Sequence, residues 1–136
     1  MVEQIFVNLP VADLDASTAF WRALGFDFDP NYTNDKAACL VLGPNIHAML
    51  LTPGFFAGFT HKALADARTV TECITALQLG SRAAVDALLS KALAAGGSEP
   101  NAANDLGFMY QRTFEDPDGH IWEAFHLSAV SPAPRS

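Results

Sequence analysis

The sequence 5–25, which begins Ile5-Phe-Val-Asn-Leu-Pro-Val11, decides the fold because the chain repeats its pattern over residues 73–96. In each copy an extended apolar stretch runs into a helical pattern that ends at a glycine. Aligning the copies places Asp13 on Ser81, and both residue types commonly cap a helix N-terminus. The chain therefore contains two copies of one unit, and we expect a ligand cleft between them.

Each helical pattern is followed by apolar stretches separated by polar turns, which predicts further strands. In the first copy we expect strands at 26–28, 37–42 and 46–51, and in the second near 98–100, 107–115 and 120–127. The last two strands of the first copy should form a hairpin at Gly43-Pro44-Asn45. Each copy is predicted to be a strand, a helix and three strands.

The domain organisation follows from these two copies. We predict one domain over residues 1–127, divided into module one (3–52), a linker (53–71) and module two (72–127), and a flexible tail (128–136). The linker contains a short helical stretch at 62–67 and three phenylalanines, Phe55, Phe56 and Phe59. These rings are expected to cover apolar surface, either over the cleft or in a subunit contact.

Composition excludes several classes of function. The 136 residues carry a net charge of −7 and only eight Lys and Arg, which argues against nucleic acid because phosphates require a basic face. No apolar run approaches the roughly 18 residues that span a bilayer, and the first residues lack a secretory pattern, so we expect no membrane partner and a cytoplasmic protein. Cys39 and Cys73 lie in apolar stretches without metal-type spacing, which predicts two buried, reduced thiols.

Two motifs carry a resemblance to a known family. They are Val11-Ala-Asp-Leu-Asp-Ala-Ser17 leading to Phe20-Trp21 and Leu24-Gly25-Phe26, and Asp116-Pro-Asp-Gly-His120 followed by Glu123. With them the chain resembles, over about residues 3 to 127, the vicinal oxygen chelate superfamily, which includes glyoxalase I, bleomycin-resistance proteins and extradiol dioxygenases. The resemblance implies an α+β, glyoxalase-like fold, in which two βαβββ modules form a curled mixed sheet around a cleft, commonly in a homodimer.

The resemblance also implies a metal site, because metal-dependent relatives take one ligand from the first and last strand of each module. Carried over position by position, these ligands fall on Phe6, His47, Ile74 and Glu123. Phe6 and Ile74 cannot bind a metal, so His47 and Glu123 are the metal candidates. Asn8 and Gln78 are the nearest substitutes, but they lie about 7 and about 13 Å further along their strands. A divalent metal is therefore the one cofactor implied, with an incomplete ligand set.

Three functions fit this pattern. The first is a glyoxalase-type lyase or isomerase that acts on a small carbonyl or thiol-adduct substrate, with His47 and Glu123 as catalytic residues. The second is a metal-free protein that binds and sequesters a drug-like, aromatic small molecule, for which the net charge suits a cationic ligand. The third is a dimeric scaffold whose cavity is filled. His47 and Glu123 are equally compatible with a buried, hydrogen-bonded structural pair.

The candidate ligand-binding side chains come from the expected cavity and the linker. They are Phe6, Asn8, Ile74, Gln78, Tyr110, Arg112, Phe55 and Phe56. Tyr110 and Arg112 are expected on the cavity face by strand parity, where a hydroxyl and a guanidinium suit an anionic or carbonyl ligand. The same parity places His120, His126 and Trp122 on the face opposite Glu123, with Trp122 in the core.

Overall fold

The computed structural model describes residues 1–128, and its internal contacts divide the chain into two compact units. Unit one is Met1–Asp66, and unit two begins at Ala67. This boundary falls inside the predicted linker. Of the predicted tail, residues 129–136 lie outside the described part of the chain.

Unit one has one four-stranded mixed sheet. Its elements are β1 (Ile5–Pro10), α1 (Leu14–Ala23), β2 (Asp27–Asp29), a 3-10 turn (Pro30–Tyr32), β3 (Ala37–Gly43), β4 (Ile46–Leu51) and α2 (Pro53–Ala57). The strand order is β1-β4-β3-β2, in which β1 runs parallel to β4 and the other neighbours are antiparallel. The predicted hairpin joins β3 to β4.

Unit two repeats this topology. Its elements are β5 (Ile74–Gln78), α3 (Arg82–Ala94), β6 (Asn104–Asp105), β7 (Met109–Glu115) and β8 (Ile121–Leu127). The strand order is β5-β8-β7-β6, again with the first strand parallel to the last. The predicted pair of βαβββ modules is confirmed.

The helix ends explain why the two units fold alike. The side chain of Asp13 accepts a hydrogen bond from the Ala16 N–H at 3.0 Å, and that of Ser81 accepts one from the Ala84 N–H at 3.0 Å. Each cap satisfies an N–H that the first helical turn leaves unpaired. After each helix comes a glycine with positive φ, Gly25 and Gly96, as the repeat predicts.

Each helix covers one face of its sheet. Arg22 of α1 lies over the Phe28 ring, and Asp86 of α3 bonds to Tyr110 and Arg112, which identifies the covered faces. Trp21 and Trp122 are fully buried in the two cores. We call the other face of each sheet the distal face.

Strand register determines which residues occupy the distal faces. In unit one they are Phe6, Asn8, Pro10, Asp27, Asp29, Ala37, Cys39, Val41, His47, Met49 and Leu51. In unit two they are Ile74, Ala76, Gln78, Asn104, Met109, Gln111, Thr113, Glu115, Ile121, Glu123, Phe125 and Leu127.

Three local predictions are wrong. Residues 62–67 form no helix, and the linker helix is instead α2, where Pro53 suits the first helical turn. The strand expected near 98–100 is a single bridge from Ser98 to Glu115. Cys39 is buried, but Cys73 is exposed because it precedes the edge strand β5; both thiols are free. None of the helices within residues 1–128 has the length and apolar character needed to cross a bilayer.

Candidate functional site

The most distinctive feature of unit one is an aromatic pair on its distal face. Parallel pairing of β1 with β4 places Phe6 directly opposite His47. Their rings stack with centroids 4.5 Å apart and planes inclined by 12°. Phe6 keeps 45% of its surface exposed, whereas His47 keeps 8%. The pair therefore presents one accessible aromatic ring, backed by a buried imidazole.

The imidazole of His47 also carries an unsatisfied polar atom. Among the buried side-chain nitrogen and oxygen atoms of residues 1–128, His47 Nδ1 is the one without a hydrogen-bond partner. Leaving a buried polar atom unpaired costs roughly 1–3 kcal/mol. Because this atom is closed to solvent, a ligand could bond to it only after neighbouring side chains move.

The rest of this distal face is mostly apolar. Asn8 lies opposite Met49, and the buried Cys39 follows on β3. Burial raises the pKa of the Cys39 thiol, and the nearby Asp29 carboxylate adds to this shift. Cys39 is therefore a protonated packing residue at neutral pH, not a nucleophile.

Glu123 occupies the corresponding region of unit two. It lies on β8 between Ala76 of β5 and Thr113 of β7, and it is half-buried. Ile121 and Phe125 flank it on the same face, opposite Ile74 and Gln78 respectively. The carboxylate thus has apolar neighbours along β8 and on β5, and Thr113 on β7.

The predicted equivalence of His47 and Glu123 is wrong in register. His47 lies opposite Phe6, whereas the residue opposite Ile74 is Ile121 and the residue opposite Glu123 is Ala76. Glu123 is therefore two residues, or about 7 Å, further along its strand than His47 is along its own. Ala76, like Ile74, has no group that can ligate a metal.

The residues present do not fit the divalent metal that the resemblance implies. In unit one the described residues bring no second and third ligand side chain to His47, and the Phe6 ring covers its face. In unit two the one group of three possible ligands among described residues is Asp116, Asp118 and His120, which does not include Glu123. Stable sites for such metals need three or four protein donors.

The Asp116 group is a turn held by its own hydrogen bonds. Oδ1 of Asp116 accepts from the N–H groups of Asp118 and His120, both at 3.0 Å, and Oδ2 accepts from the indole N–H of Trp122 at 3.1 Å. Burial raises the pKa of Asp116, although these donors and His120 oppose the shift. Both carboxylate oxygens are thus engaged in fixing the β7–β8 turn.

Tyr110 and Arg112 lie on the wrong face for the predicted role. Thr113, not Arg112, pairs with Glu123, so Tyr110 and Arg112 point toward α3. There the Tyr110 hydroxyl donates to Asp86 at 2.6 Å, and Arg112 donates to Asp86 and, through two nitrogens, to Glu99. The hydrogen bond from Tyr110, and then that from Arg112, lower the pKa of Asp86. The two side chains belong to an ion-pair network outside the distal face.

Two other parity predictions are confirmed. Trp122 is buried under α3, and His126 turns to the same side, where its Nδ1 lies 2.9 Å from the carbonyl oxygen of Leu79.

In α2, Phe55 packs edge-to-face on Phe59 with ring centroids 5.2 Å apart, and α2 itself contacts β1. Phe56, the other linker residue that we predicted to bind the ligand, is half-buried.

Charge on the distal faces is uniformly negative. Their strand positions carry Asp27 and Asp29 in unit one, Glu115 and Glu123 in unit two, and no Lys or Arg. An anion would meet repulsion there and no guanidinium or ammonium partner. The faces therefore suit neutral or cationic ligands.

Sequence reasoning missed the Phe6–His47 stack. In the sequence, Phe6 stands out only as a position where a metal ligand is missing, because Phe6 and His47 are considered there one at a time. The signal that could have found the stack is the β1–β4 register, but the long connection between these strands hides it.

The comparisons with known proteins agree with this fold. Residues 4–43 match the family model described as bleomycin resistance protein-like N-terminal. No curated protein matches the sequence.

Several solved structures share the architecture over nearly the whole chain. A hypothetical protein from S. aureus is 24% identical, with 93% of this chain and 95% of that one covered and a TM-score of 0.79. A glyoxalase-related enzyme from Fulvimarina pelagi is 22% identical, covering 96% and 92%, with a TM-score of 0.77. A bleomycin resistance determinant encoded on transposon Tn5 is 18% identical, covering 93% and 99%, with a TM-score of 0.64. At these identities the likeness is one of fold, and it confirms the α+β fold of two βαβββ modules that the resemblance implies.

Proposed function

We propose that this chain belongs to the vicinal oxygen chelate superfamily, as its fold and the sequence of its first module suggest, and that it is a metal-independent binding protein for a planar, aromatic, neutral or cationic small molecule. The superfamily fold hosts many chemistries, so the proposal depends on the side chains and not on the fold.

The observation that carries the proposal is the Phe6–His47 stack. It puts an accessible aromatic ring where metal-dependent relatives place a ligand, and a planar ligand can extend the stack on the exposed side of Phe6.

Charge supports the choice of ligand class. The four carboxylates on the distal faces and the net charge of −7 favour a cation over an anion. In unit two, Glu123 is half-buried beside Ile121 and Phe125, where an ion pair is less screened than in water.

Calorimetry tests the proposal directly. We expect heat of binding with planar aromatic cations, weaker binding with neutral analogues of the same shape, and none with the corresponding carboxylates. The imidazole resonances of His47 should shift on binding, a better reporter than tryptophan fluorescence because Trp21 and Trp122 are both buried under the helices. Binding of the anionic analogues alone would overturn the proposal.

A second candidate is a lyase or isomerase, and the unpaired imidazole nitrogen is the observation that favours it. A buried His47 with a free ring nitrogen could transfer a proton, and Glu123 is the acid–base candidate of unit two. This candidate predicts turnover of a hemithioacetal or a similar carbonyl adduct. Turnover restored by added Ni, Zn or Mn and abolished by a chelator would favour the enzyme over the binding protein.

The proposed assembly is a cytoplasmic homodimer. Edge strands β1 and β5 also expose the large apolar side chains of Ile5 and Ile74, which a second copy of the chain would cover. Sedimentation equilibrium at micromolar concentration would give twice the mass of the 14.6 kDa chain.

A further inference from the structure

The segment Glu99–Asp105, which we call the strap, leaves the second sheet between two points of attachment. The chain advances six residues from Ser98, opposite Glu115, to Asn104, opposite Gln111, while β7 advances four. Two extra residues in one strand force it away from its neighbour. Apart from Glu99, which is half-buried, the strap residues are exposed, so apolar packing contributes little to holding them.

An arginine holds the strap at each end. Arg112 of β7 donates from Nε and Nη2 to the two carboxylate oxygens of Glu99, at 2.9 and 2.8 Å. Arg82 of α3 pairs with both carboxylate oxygens of Asp105, with 3.2 Å between Nη1 and Oδ1. Paired, two-pronged contacts of this kind are the strongest that guanidinium groups make. We call the Arg112–Glu99 pair the first clamp and the Arg82–Asp105 pair the second clamp. The side chains of the first clamp are largely buried, and those of the second are exposed.

The strap forms one wall of a groove. The groove has a volume of about 370 Å³ and is lined by strap residues 99–103 together with Tyr110 and Arg112. The Arg82 guanidinium lies 4.5 Å from the centre of the Tyr110 ring, and Asp86 accepts from both Tyr110 and Arg112. The groups that face the strap are thus the guanidiniums of Arg82 and Arg112, the carboxylate of Asp86 and the phenol of Tyr110, and the strap itself contributes the carboxylates of Glu99 and Asp105.

We propose that the strap is a movable wall of this groove. It detaches from the rest of unit two in two steps, at the Asp105 end in high salt and at the Glu99 end in acid. Salt screens the exposed Arg82–Asp105 pair but acts weakly on the buried Arg112–Glu99 pair. Acid protonates Glu99 and removes the negative charge that pairs with the Arg112 guanidinium, which stays charged. Asp86 stays bound to Tyr110 and Arg112 in the first step and keeps the groove wall on β7 in place.

Hydrogen exchange at three amides tests the proposal. The Glu115 N–H donates to Ser98 O beside the first clamp, and the N–H groups of Leu106 and Gly107 donate to Met109 O and Asp105 Oδ1 beside the second. At neutral pH we expect Glu99→Gln to lower the protection factor of the Glu115 amide about tenfold, the loss that follows when one charged hydrogen-bond pair becomes neutral. In the wild-type protein, 1 M NaCl should lower the protection factor of the Gly107 amide more than that of the Glu115 amide.

Glu72→Gln is the matched control, since it makes the same change at an exposed residue of unit two outside the strap. Hydroxyl-radical footprinting gives a second readout: oxidation of Tyr110 should rise in Glu99→Gln relative to Tyr32, the only other tyrosine, which is 64% exposed. Unchanged protection at Glu115 in Glu99→Gln would overturn the proposal. An equal loss of protection at Leu89 in α3 would also overturn it, because the effect would then be global unfolding.

Discussion

The first and last strands of the two sheets carry opposite chemistry. In unit one the first and last strands meet at Phe6 and His47, which stack and leave the imidazole buried. Two residues further along the equivalent strands of unit two, Ala76 lies opposite Glu123, and the small side chain leaves the carboxylate half-exposed. The strand order and directions are repeated between the units, but the side chains on the paired strands are not. A sequence repeat therefore predicts the fold much better than it predicts the functional site.

The hairpin turns show the same contrast. Gly43 in unit one has room for a side chain, since an added Cβ would meet only the flexible end of Ile46 at 3.4 Å. Gly119 in unit two has φ +88°, and an added Cβ would lie 3.0 Å from the backbone of Ala67 and Arg68. One turn is simply a connection, whereas the other is a packed anchor for the residues that begin unit two.

The largest effect should come from substituting these glycines. Gly119→Ala combines a left-handed backbone with a backbone clash, and we expect it to lower the free energy of unfolding by about 2–4 kcal/mol. Gly43→Ala should change it by about 0.5 kcal/mol or less, as surface substitutions do. Urea denaturation of both variants measures the difference. Equal losses would show that the two turns are not energetically distinct.

The next effect concerns the carboxylate inside the anchored turn. Asp116→Asn keeps an oxygen for the Asp118 and His120 N–H groups but turns an NH₂ toward the Trp122 indole N–H. We expect a loss of about 1–3 kcal/mol, the cost of leaving a buried donor unpaired. The Trp122 indole resonance should move as well. Asp35→Asn, at an exposed site of unit one, is the control and should leave both measurements unchanged.

The sequence predicts the fold because its strongest signals are local. The caps Asp13 and Ser81 and the glycines after each helix depend only on near neighbours, and all are present as expected. Register between strands is not local. Tyr110 was placed on the Glu123 face, and the β7–β8 turn instead pairs it with His126. A slip of one residue moves every side chain to the other face, and the sequence alone does not fix it.

The difference between the Phe6–His47 stack of unit one and the Ala76–Glu123 pair of unit two predicts a smaller effect, on ligand affinity. Phe6→Ala removes the exposed ring of the stack, and we expect the affinity for a planar aromatic cation to fall about threefold to tenfold, the range for aromatic pairs of 0.5–1.5 kcal/mol. Phe59→Ala is the matched control because this ring is 71% exposed but lies outside both sheets. Calorimetry of both variants decides the point, and equal losses would place the ligand elsewhere.

The smallest effect is the pH dependence that unit two gains from its ion pairs. The hydrogen bond from Arg112 lowers the pKa of Glu99, so this pair stabilises the folded state fully above the ordinary glutamate pKa of about 4.3, and its contribution is lost as the pH falls through the lower folded value. Asp116 acts in the opposite sense because burial raises its pKa, and its protonation favours the folded state as the pH falls. We therefore expect Glu99→Gln to lose roughly 1 kcal/mol or less of unfolding free energy at pH 7 and a smaller amount at pH 3, because the wild-type pair loses its contribution as the pH falls below the ordinary glutamate pKa toward the lowered folded value. Urea titrations at the two pH values measure this difference, and a loss of the same size at both would mean that Glu99 contributes through packing and not through its charge.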